Sequence, residues 1–232
     1  MRKLKNSLIL LERRIAPKTP RHGFIERESI ILPLCMDKDV LDVGCTGEEI
    51  SGTSPTSEYW LHGKICKVAT SCTGVDISEE MIERVQKLHG LDIICENAET
   101  IELHKKFDVI VAGDIIEHLD NQGLFLENMK THLKDDGMLI ITTINMYYPG
   151  FMLHYLTRRC ENVGPYHTLW HSESTLRAIV ERHGFRVVKT YYGSVAKPKS
   201  LKGKLYLCLM KIFGYHKFKG SSLIMVLKNN DR

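Results

Sequence analysis

The stretch Val40-Leu41-Asp42-Val43-Gly44-Cys45-Thr46-Gly47-Glu48 decides the fold. Residues 40–43 are mostly apolar and predict a short buried strand that ends at a glycine turn. Gly44 lets the backbone approach a ligand closely, and Gly47 can adopt the positive φ of a tight bend. The sequence therefore predicts a strand followed by a ligand-binding turn, as at the first strand of an open α/β sheet.

This turn does not match the dinucleotide-binding fingerprint. That fingerprint, G-x-G-x-x-G, requires glycine at its third and sixth positions, where this chain has Thr46 and Glu49. Glu48 and Glu49 would also repel a pyrophosphate. The turn favours a cationic ligand without phosphate and argues against a nicotinamide-dependent oxidoreductase.

Apolar segments and amphipathic segments alternate along the rest of the chain. Further strands are predicted at 72–77, 91–95, 107–112, 138–143, 185–192 and 222–227. Helices are predicted at 3–15 and 24–32, from Ser54, from Ser78 to Gly90, at 121–133 and from Ser172 to Gly184, with an irregular stretch at 144–171. This order predicts one α/β domain, doubly wound, with a mostly parallel seven-stranded sheet and helices on both faces.

Polar residues follow the predicted strands at positions where a ligand would lie. Asp76 ends the second strand, Glu96-Asn97-Ala98-Glu99 follows the third, and Gly113-Asp114-Ile115-Ile116-Glu117-His118-Leu119 follows the fourth. In Rossmann-type folds an acid at the end of the second strand grips ribose hydroxyls through charge-assisted hydrogen bonds. These strand ends are therefore expected to converge on one nucleoside.

Together, the four motifs resemble those of the class I S-adenosylmethionine (SAM)-dependent methyltransferases over roughly residues 38–192. The segment 113–119 is similar to that of the ubiquinone-pathway O-methyltransferases and related small-molecule enzymes. The resemblance implies a Rossmann-like methyltransferase fold with an antiparallel last strand, SAM as cofactor and S-adenosyl-L-homocysteine as product. The cofactor-binding residues that it implies are Asp42, Gly44, Cys45, Gly47, Asp76, Ile77, Asn97, Ala98, Asp114 and Ile115.

The resemblance also assigns a part of SAM to each motif. The turn 42–47 would lie under the methionine part, and Asp76 would bind both ribose hydroxyls. Asn97 would take the adenine amino group, Ala98 would offer its backbone N–H to the ring, and Asp114 would lie beside the sulfonium. The chain departs from the family at the turn, which usually reads G-C-G-x-G: Thr46 and Glu48 replace two glycines. The connection from Gly47 to Gly74 is also longer than usual.

The segment 144–171 is predicted to hold the methyl acceptor, as the corresponding segment does in the family. Methyl transfer needs a nucleophile in line with the sulfonium, about 3 Å away, and an acceptor hydroxyl must lose its proton. His167 is the first candidate for that base and His171 the second, because histidine titrates near neutral pH. The Glu117-His118 pair has two interpretations, a buried pair that stabilises the loop or a catalytic dyad. His167 and His171 lie four residues apart without an evident third ligand, so no metal is predicted.

Charge divides the 232 residues into three parts. Residues 1–21 carry seven Lys/Arg and one acidic residue, residues 22–186 carry 15 basic and 26 acidic ones, and residues 187–232 carry ten basic residues and Asp231. The predicted organisation is a basic N-terminal helix (1–21) and a methyltransferase domain (22–232), with a basic apolar insert at 195–220. Segments 1–15 and 197–219 suggest peripheral contact with an anionic membrane. The alternative is that the insert packs on the domain with its lysines solvated.

The apolar runs, the N-terminus and the cysteines indicate where in the cell the protein is expected to act. No apolar run approaches about 20 residues, no secretory cleavage signal follows the N-terminus, and the seven cysteines lack C-x-x-C spacing. The chain is therefore expected to be cytoplasmic with reduced thiols. The favoured function is O-methylation of a small molecule, including lipid-like or glycan-linked ones. The alternatives are an RNA methyltransferase that uses the basic ends, which the acidic body disfavours, and a non-catalytic protein with a SAM-binding fold. The sequence assigns neither the acceptor nor an oligomeric state.

Overall fold

The computed structural model describes residues 25–47, 52–160, 164, 166–195, 205 and 220–230. The predicted helix at 3–15 lies outside these residues, and so does the segment 197–219 apart from Leu205. The membrane contact proposed for these two segments therefore also falls outside the described residues. Within the described residues we find no helix whose length and apolarity would let it cross a bilayer.

Seven strands and six α-helices form the described part of the chain. In order they are α1 (Glu28–Cys35), β1 (Asp39–Val43), α2 (Leu61–Val68), β2 (Ser71–Asp76), α3 (Glu79–His89), β3 (Ile93–Cys95), β4 (Phe107–Gly113), a 3-10 helix (Ile116–His118), α4 (Gln122–Thr131), β5 (Leu133–Ile144), α5 (Pro149–Arg158), α6 (Glu173–Arg182), β6 (Phe185–Gly193) and β7 (Ser222–Asn229). All seven predicted strands are present.

The strands form one sheet in the order β3-β2-β1-β4-β5-β7-β6. Strands β1 to β5 pair in parallel, and β7 pairs antiparallel to both β5 and β6. This confirms the predicted fold class, including the antiparallel last strand. The order reverses beside β1, which lies between β2 and β4, so a crevice opens at the carboxyl ends of these strands.

Helices cover both faces of the sheet, and two apolar clusters fill the space between the layers. One cluster contains Leu41, Ile110 and Phe125, and the other contains Val40, Val109 and Ile65. Alternate residues of β1 and β4 thus point into opposite clusters, as expected of strands that are buried on both faces.

Local sequence signals explain where α3 and α6 begin. The Ser78 hydroxyl accepts a hydrogen bond from the Met81 N–H, and Gly90 ends α3 in the left-handed conformation. Ser172 and Thr175 form a reciprocal capping box at the start of α6. Both starts agree with the prediction from sequence.

Four predictions of element bounds differ from the structure. The helix predicted at 24–32 spans Glu28–Cys35. The helix expected from Ser54 begins only at Leu61, because the Trp60 indole N–H donates to the Cys45 carbonyl at 2.9 Å and residue 60 is extended. Strand β5 begins at Leu133, before Gly137, since an irregularity in its pairing with β4 absorbs the extra residues. The stretch 144–171, expected to be irregular, contains α5, which Pro149 starts at its first turn.

Candidate functional site

A cavity of about 920 Å³ opens at the carboxyl ends of β1, β2, β3 and β4. Residues from the turn after each of these strands line it, together with residues from α2, α5 and the 166–167 segment and with Arg27, which precedes α1. All ten residues that the sequence assigned to the cofactor line this one cavity: Asp42, Gly44, Cys45, Gly47, Asp76, Ile77, Asn97, Ala98, Asp114 and Ile115. The structure therefore brings together the residues that the four motifs contributed.

Both glycines of the β1 turn are required by local geometry. Gly44 has φ +71° and Gly47 has φ +67°, a region that other residues rarely adopt. A Cβ at Gly47 would lie 2.3 Å from the Thr53 carbonyl oxygen, and a Cβ at Gly44 would lie 3.0 Å from the Ile115 side chain. The turn thus leaves the backbone of residues 44–47 open to the cavity.

The Asp76 carboxylate fastens this turn to the end of β2. Its Oδ2 accepts hydrogen bonds from the Thr46 N–H at 3.0 Å and from the Thr46 hydroxyl at 2.8 Å. Its Oδ1 accepts from the Ile77 N–H at 2.8 Å and the Ser78 N–H at 3.1 Å. A carboxylate offers about four lone-pair sites, so these four donors already fill the acceptor sites of Asp76.

Apolar and amide groups follow the ends of β2 and β3 in the cavity wall. Ile77 is 70% exposed although its side chain is apolar, while Ala98 is buried. The Asn97 side-chain oxygen accepts a hydrogen bond from the Glu99 N–H at 2.8 Å, which fixes the turn after β3. This wall combines an apolar surface with polar edges, as a planar heterocycle needs.

At the end of β4, Asp114 pairs with an arginine that the sequence reasoning missed. Asp114 has φ +52°, and its carboxylate accepts hydrogen bonds from the Arg27 guanidinium and, at 2.8 Å, from the Thr142 hydroxyl. Arg27 is only 3% exposed and lines the cavity. Its position just before α1, far from the four motifs in sequence, gave no signal of this role.

A second group of polar side chains lies on the acceptor side of the cavity. Ligand atoms of Glu117, His118 and His167 lie within 4.8 Å of one another, and the two imidazole rings meet edge to face at 4.5 Å. Thr168 holds the 166–167 segment against the 3-10 helix, because its N–H donates to the Glu117 carbonyl at 2.8 Å. Burial, followed by the charge of Asp114, raises the pKa of Glu117 to about 8.

The two predicted base candidates differ in position. His167 lines the cavity, whereas His171 is buried and is not among the residues that line it. Burial lowers the pKa of His171, which keeps its ring neutral. The geometry therefore favours His167 over His171.

Behind the β1 turn, Asp42 contacts a third group of side chains. The buried Asp42 carboxylate lies 2.9 Å from His62 Nδ1, and ligand atoms of His62, Cys66 and Cys72 lie within 4.8 Å of one another. Within the described residues, these three and the Glu117–His118–His167 group have the spacing that could hold a metal ion.

Comparison with known proteins agrees with this geometry. A family model described as a methyltransferase domain matches residues 7–190. The ubiquinone biosynthesis O-methyltransferase of Bradyrhizobium diazoefficiens is 28% identical over 120 residues, which cover 49% of this chain and 43% of that protein. The match thus spans less than half the length of this relative.

Solved structures share the architecture. A SAM-dependent methyltransferase from Archaeoglobus fulgidus has a TM-score of 0.56 at 19% identity and covers 84% of this chain and 88% of its own. Magnesium protoporphyrin IX methyltransferase from Synechocystis PCC 6803, solved with bound S-adenosylhomocysteine, has a TM-score of 0.51 at 15% identity. The match covers 83% of this chain and 74% of that protein. At such identities the likeness shows the fold. With most of its length matched by the family model, the chain belongs to the methyltransferase domain family and has the class I SAM-dependent methyltransferase fold.

Proposed function

We propose that this protein transfers the methyl group of SAM to an oxygen atom of a small-molecule acceptor bound in the cavity beside β1 and β4. The observation that carries the proposal is the convergence of the Gly44 bend and the Asp76 carboxylate on one cavity, which has room for a nucleoside and an acceptor. The family membership supports SAM as the methyl donor.

Each part of a SAM molecule would have a suitable partner among the residues that line the cavity. Asp76 would bind the ribose hydroxyls, and the exposed Ile77 side chain with Ala98 would flank the adenine. The carboxylate of the methionine part would meet the Arg27 guanidinium, because a buried arginine is suited to bidentate recognition of a carboxylate. Asp114, at the end of β4, would then face the sulfonium.

On the acceptor side, the residues offer a base and an apolar surface. His167 would remove the proton of an acceptor hydroxyl, and the neighbouring His118 and Glu117 would hold its ring in place. Phe151 and Tyr166 also line this part of the cavity and would cover an apolar ring or chain of the acceptor. SAM itself supplies an activated leaving group, so the protein must mainly align the two reactants and exclude water.

Calorimetric titration with SAM tests the cofactor site directly. Asp76→Asn removes the charge that would hold the ribose hydroxyls, and the expected loss of affinity is about 100-fold, or ~2.7 kcal/mol for two weakened charge-assisted bonds. Asp120→Asn, at another carboxylate of the cavity lining, is the matched control and should bind SAM like the wild type. Because Asp76 also fastens the β1 turn, thermal unfolding of each variant is measured beside binding.

Methyl transfer is then assayed with labelled SAM and a panel of phenols, catechols and primary alcohols. Transfer to an oxygen of one of these acceptors supports the proposal. Absence of SAM binding by the folded wild type, or equal affinity of wild type and Asp76→Asn, would contradict it.

A further inference from the structure

A cluster at the edge of the cofactor cavity arranges two thiols, an imidazole and a carboxylate in one row. The imidazole of His62 and the carboxylate of Asp42 line that cavity, and the two thiols do not. His62 and Cys66 lie four residues apart on α2, and Cys72 lies on the adjacent strand β2. Cys66 Sγ is 3.4 Å from His62 Nε2, and His62 Nδ1 is 2.9 Å from Asp42 Oδ2. Nucleophile, imidazole and carboxylate in this order is the arrangement that activates cysteine nucleophiles.

Local packing fixes the imidazole in this row. Positions i and i+4 share one helix face, so the His62 ring meets the Cys66 thiol. Gly74 of β2 leaves room for the ring: a Cβ there would lie 2.8 Å from His62 Cε1 and 2.9 Å from Cys45 Sγ. His62 is therefore held between β2 and α2 with its two nitrogens directed at Asp42 and Cys66.

The charges in the row favour a thiolate at Cys66. Burial opposes the charged form of His62, but Asp42 and Cys66 outweigh it and raise the pKa of the ring to about 10. The hydrogen bond from Cys72, with the charged His62 ring, lowers the pKa of Cys66 to about 5. The neighbouring Cys66, followed by burial, raises the pKa of Cys72.

We propose that Cys66 is a reactive thiolate that exchanges with small disulfides, with Cys72 as the resolving thiol. Both side chains are partly exposed, and their sulfur atoms lie within 4.8 Å of each other. The Cys66 thiolate attacks a low-molecular-weight disulfide, forms a mixed disulfide and releases one thiolate. Cys72 then attacks the Cys66 sulfur, forms the Cys66–Cys72 disulfide and releases the second thiolate, which takes the Cys72 proton. The small disulfide gains two electrons and the two cysteines lose them.

The position of the pair favours a reversible reaction. The disulfide would close only the short connection from α2 to β2, so by the loop-entropy model it stabilises the folded chain less than a disulfide across a longer loop would. Added dithiol would therefore reopen it. His62 and Asp42 both line the cofactor cavity, so the imidazole that contacts Cys66 also borders that cavity.

The test is the reaction of the full-length reduced protein with glutathione disulfide at pH 6, followed by acid quenching and peptide mass mapping. At this pH a thiol with pKa about 5 is mostly ionised, whereas one near 8.5 is ionised at a level of about 0.3%. After the lower nucleophilicity of the more acidic thiol is allowed for, Cys66 should react about tenfold faster than an ordinary cysteine. Cys160 is the internal reference, because it is exposed and its sulfur lies 3.6 Å from a histidine nitrogen, that of His154.

Three variants separate the steps. The wild type should accumulate the Cys66–Cys72 disulfide, Cys72→Ser should stop at a mixed disulfide on Cys66, and Cys66→Ser should form neither. His62→Gln should slow the reaction of Cys66 at pH 6 about tenfold while thermal unfolding shows a folded chain. The proposal is overturned if Cys66 of the wild type reacts no faster than Cys160, or if the purified protein carries one equivalent of zinc that Cys66→Ser releases.

Discussion

The hydroxyl of Thr46 and a ribose would compete for the same carboxylate oxygen, and Thr46→Val tests this competition. Thr46 is buried, and its hydroxyl donates to Asp76 Oδ2 at 2.8 Å. Valine has nearly the same shape but no hydroxyl, and the Thr46 N–H bond to the same oxygen remains. The substitution therefore frees one of the four occupied acceptor sites of Asp76.

The expected effect on SAM is tighter binding. A hydrogen bond to a charged group contributes about 1.5–3 kcal/mol to stability. In the wild type a ribose hydroxyl must displace the Thr46 hydroxyl from Asp76. The displaced hydroxyl then bonds to water and recovers part of the free energy of the lost hydrogen bond. If roughly half of it is recovered, the net gain for the variant is ~0.8–1.5 kcal/mol, or roughly 4- to 12-fold in the dissociation constant. The variant without SAM should also lose ~1.5 kcal/mol of stability, the lower end of the range for a hydrogen bond to a charged group, which is a fall of roughly 3–6 °C in Tm.

Calorimetric titration with SAM and thermal unfolding of the empty protein measure the two effects. Thr175→Val is the matched control, because it removes a hydroxyl from the α6 capping box, outside the cavity lining. The control should lower Tm and leave SAM affinity unchanged. Equal or weaker SAM binding by Thr46→Val, with Tm lowered as expected, would refute the competition.

Three further predictions concern other parts of the cavity. Because burial raises the pKa of Glu117 from 4.5 to about 8, the folded chain binds one proton more than the unfolded chain between these pH values, and its stability falls as pH rises. Glu117→Gln should remove this fall. Chemical denaturation from pH 5 to 8 should therefore show that the free energy of unfolding of the variant exceeds that of the wild type by an amount that grows with pH. His167→Ala should lower the rate of methyl transfer at least tenfold with unchanged SAM affinity, and an unchanged rate would exclude it as the base. Gly47→Ala should destabilise the chain by ~2 kcal/mol, since its Cβ would lie 2.3 Å from the Thr53 carbonyl oxygen in a positive-φ region; a Tm within 1 °C of the wild type would contradict this.

Periodicity and turn residues predicted most of the fold. The apolar run Val109–Ala112 of β4 and the Ser78 and Ser172 caps are local signals, and the structure agrees with them. The start of α2 was missed because it depends on the bond between the Trp60 indole and the Cys45 carbonyl, a contact across 15 residues. Such tertiary contacts override local propensity.

The sequence predicted those residues of the candidate site that lie at the carboxyl end of a predicted strand. Asp76 and Gly44 follow this rule, since the carboxyl ends of parallel strands share one edge. Arg27 could not be found in this way, because its pairing with Asp114 joins residues 87 positions apart. The row from Asp42 to Cys66 was missed for the same reason, although His62 and Cys66 are separated by one helical turn.

The attachment of residues 25–27 has a consequence for where this domain can be shortened. The Arg27 N–H donates to the Ser194 carbonyl at 3.0 Å and the Ser194 N–H donates to the Ile25 carbonyl at 3.0 Å, so this segment extends the sheet beside the end of β6. A truncated chain that starts at β1 would keep all seven strands but would lose Arg27 from the lining of the pocket. The minimal unit for engineering or for grafting onto another scaffold therefore includes residues 25–27.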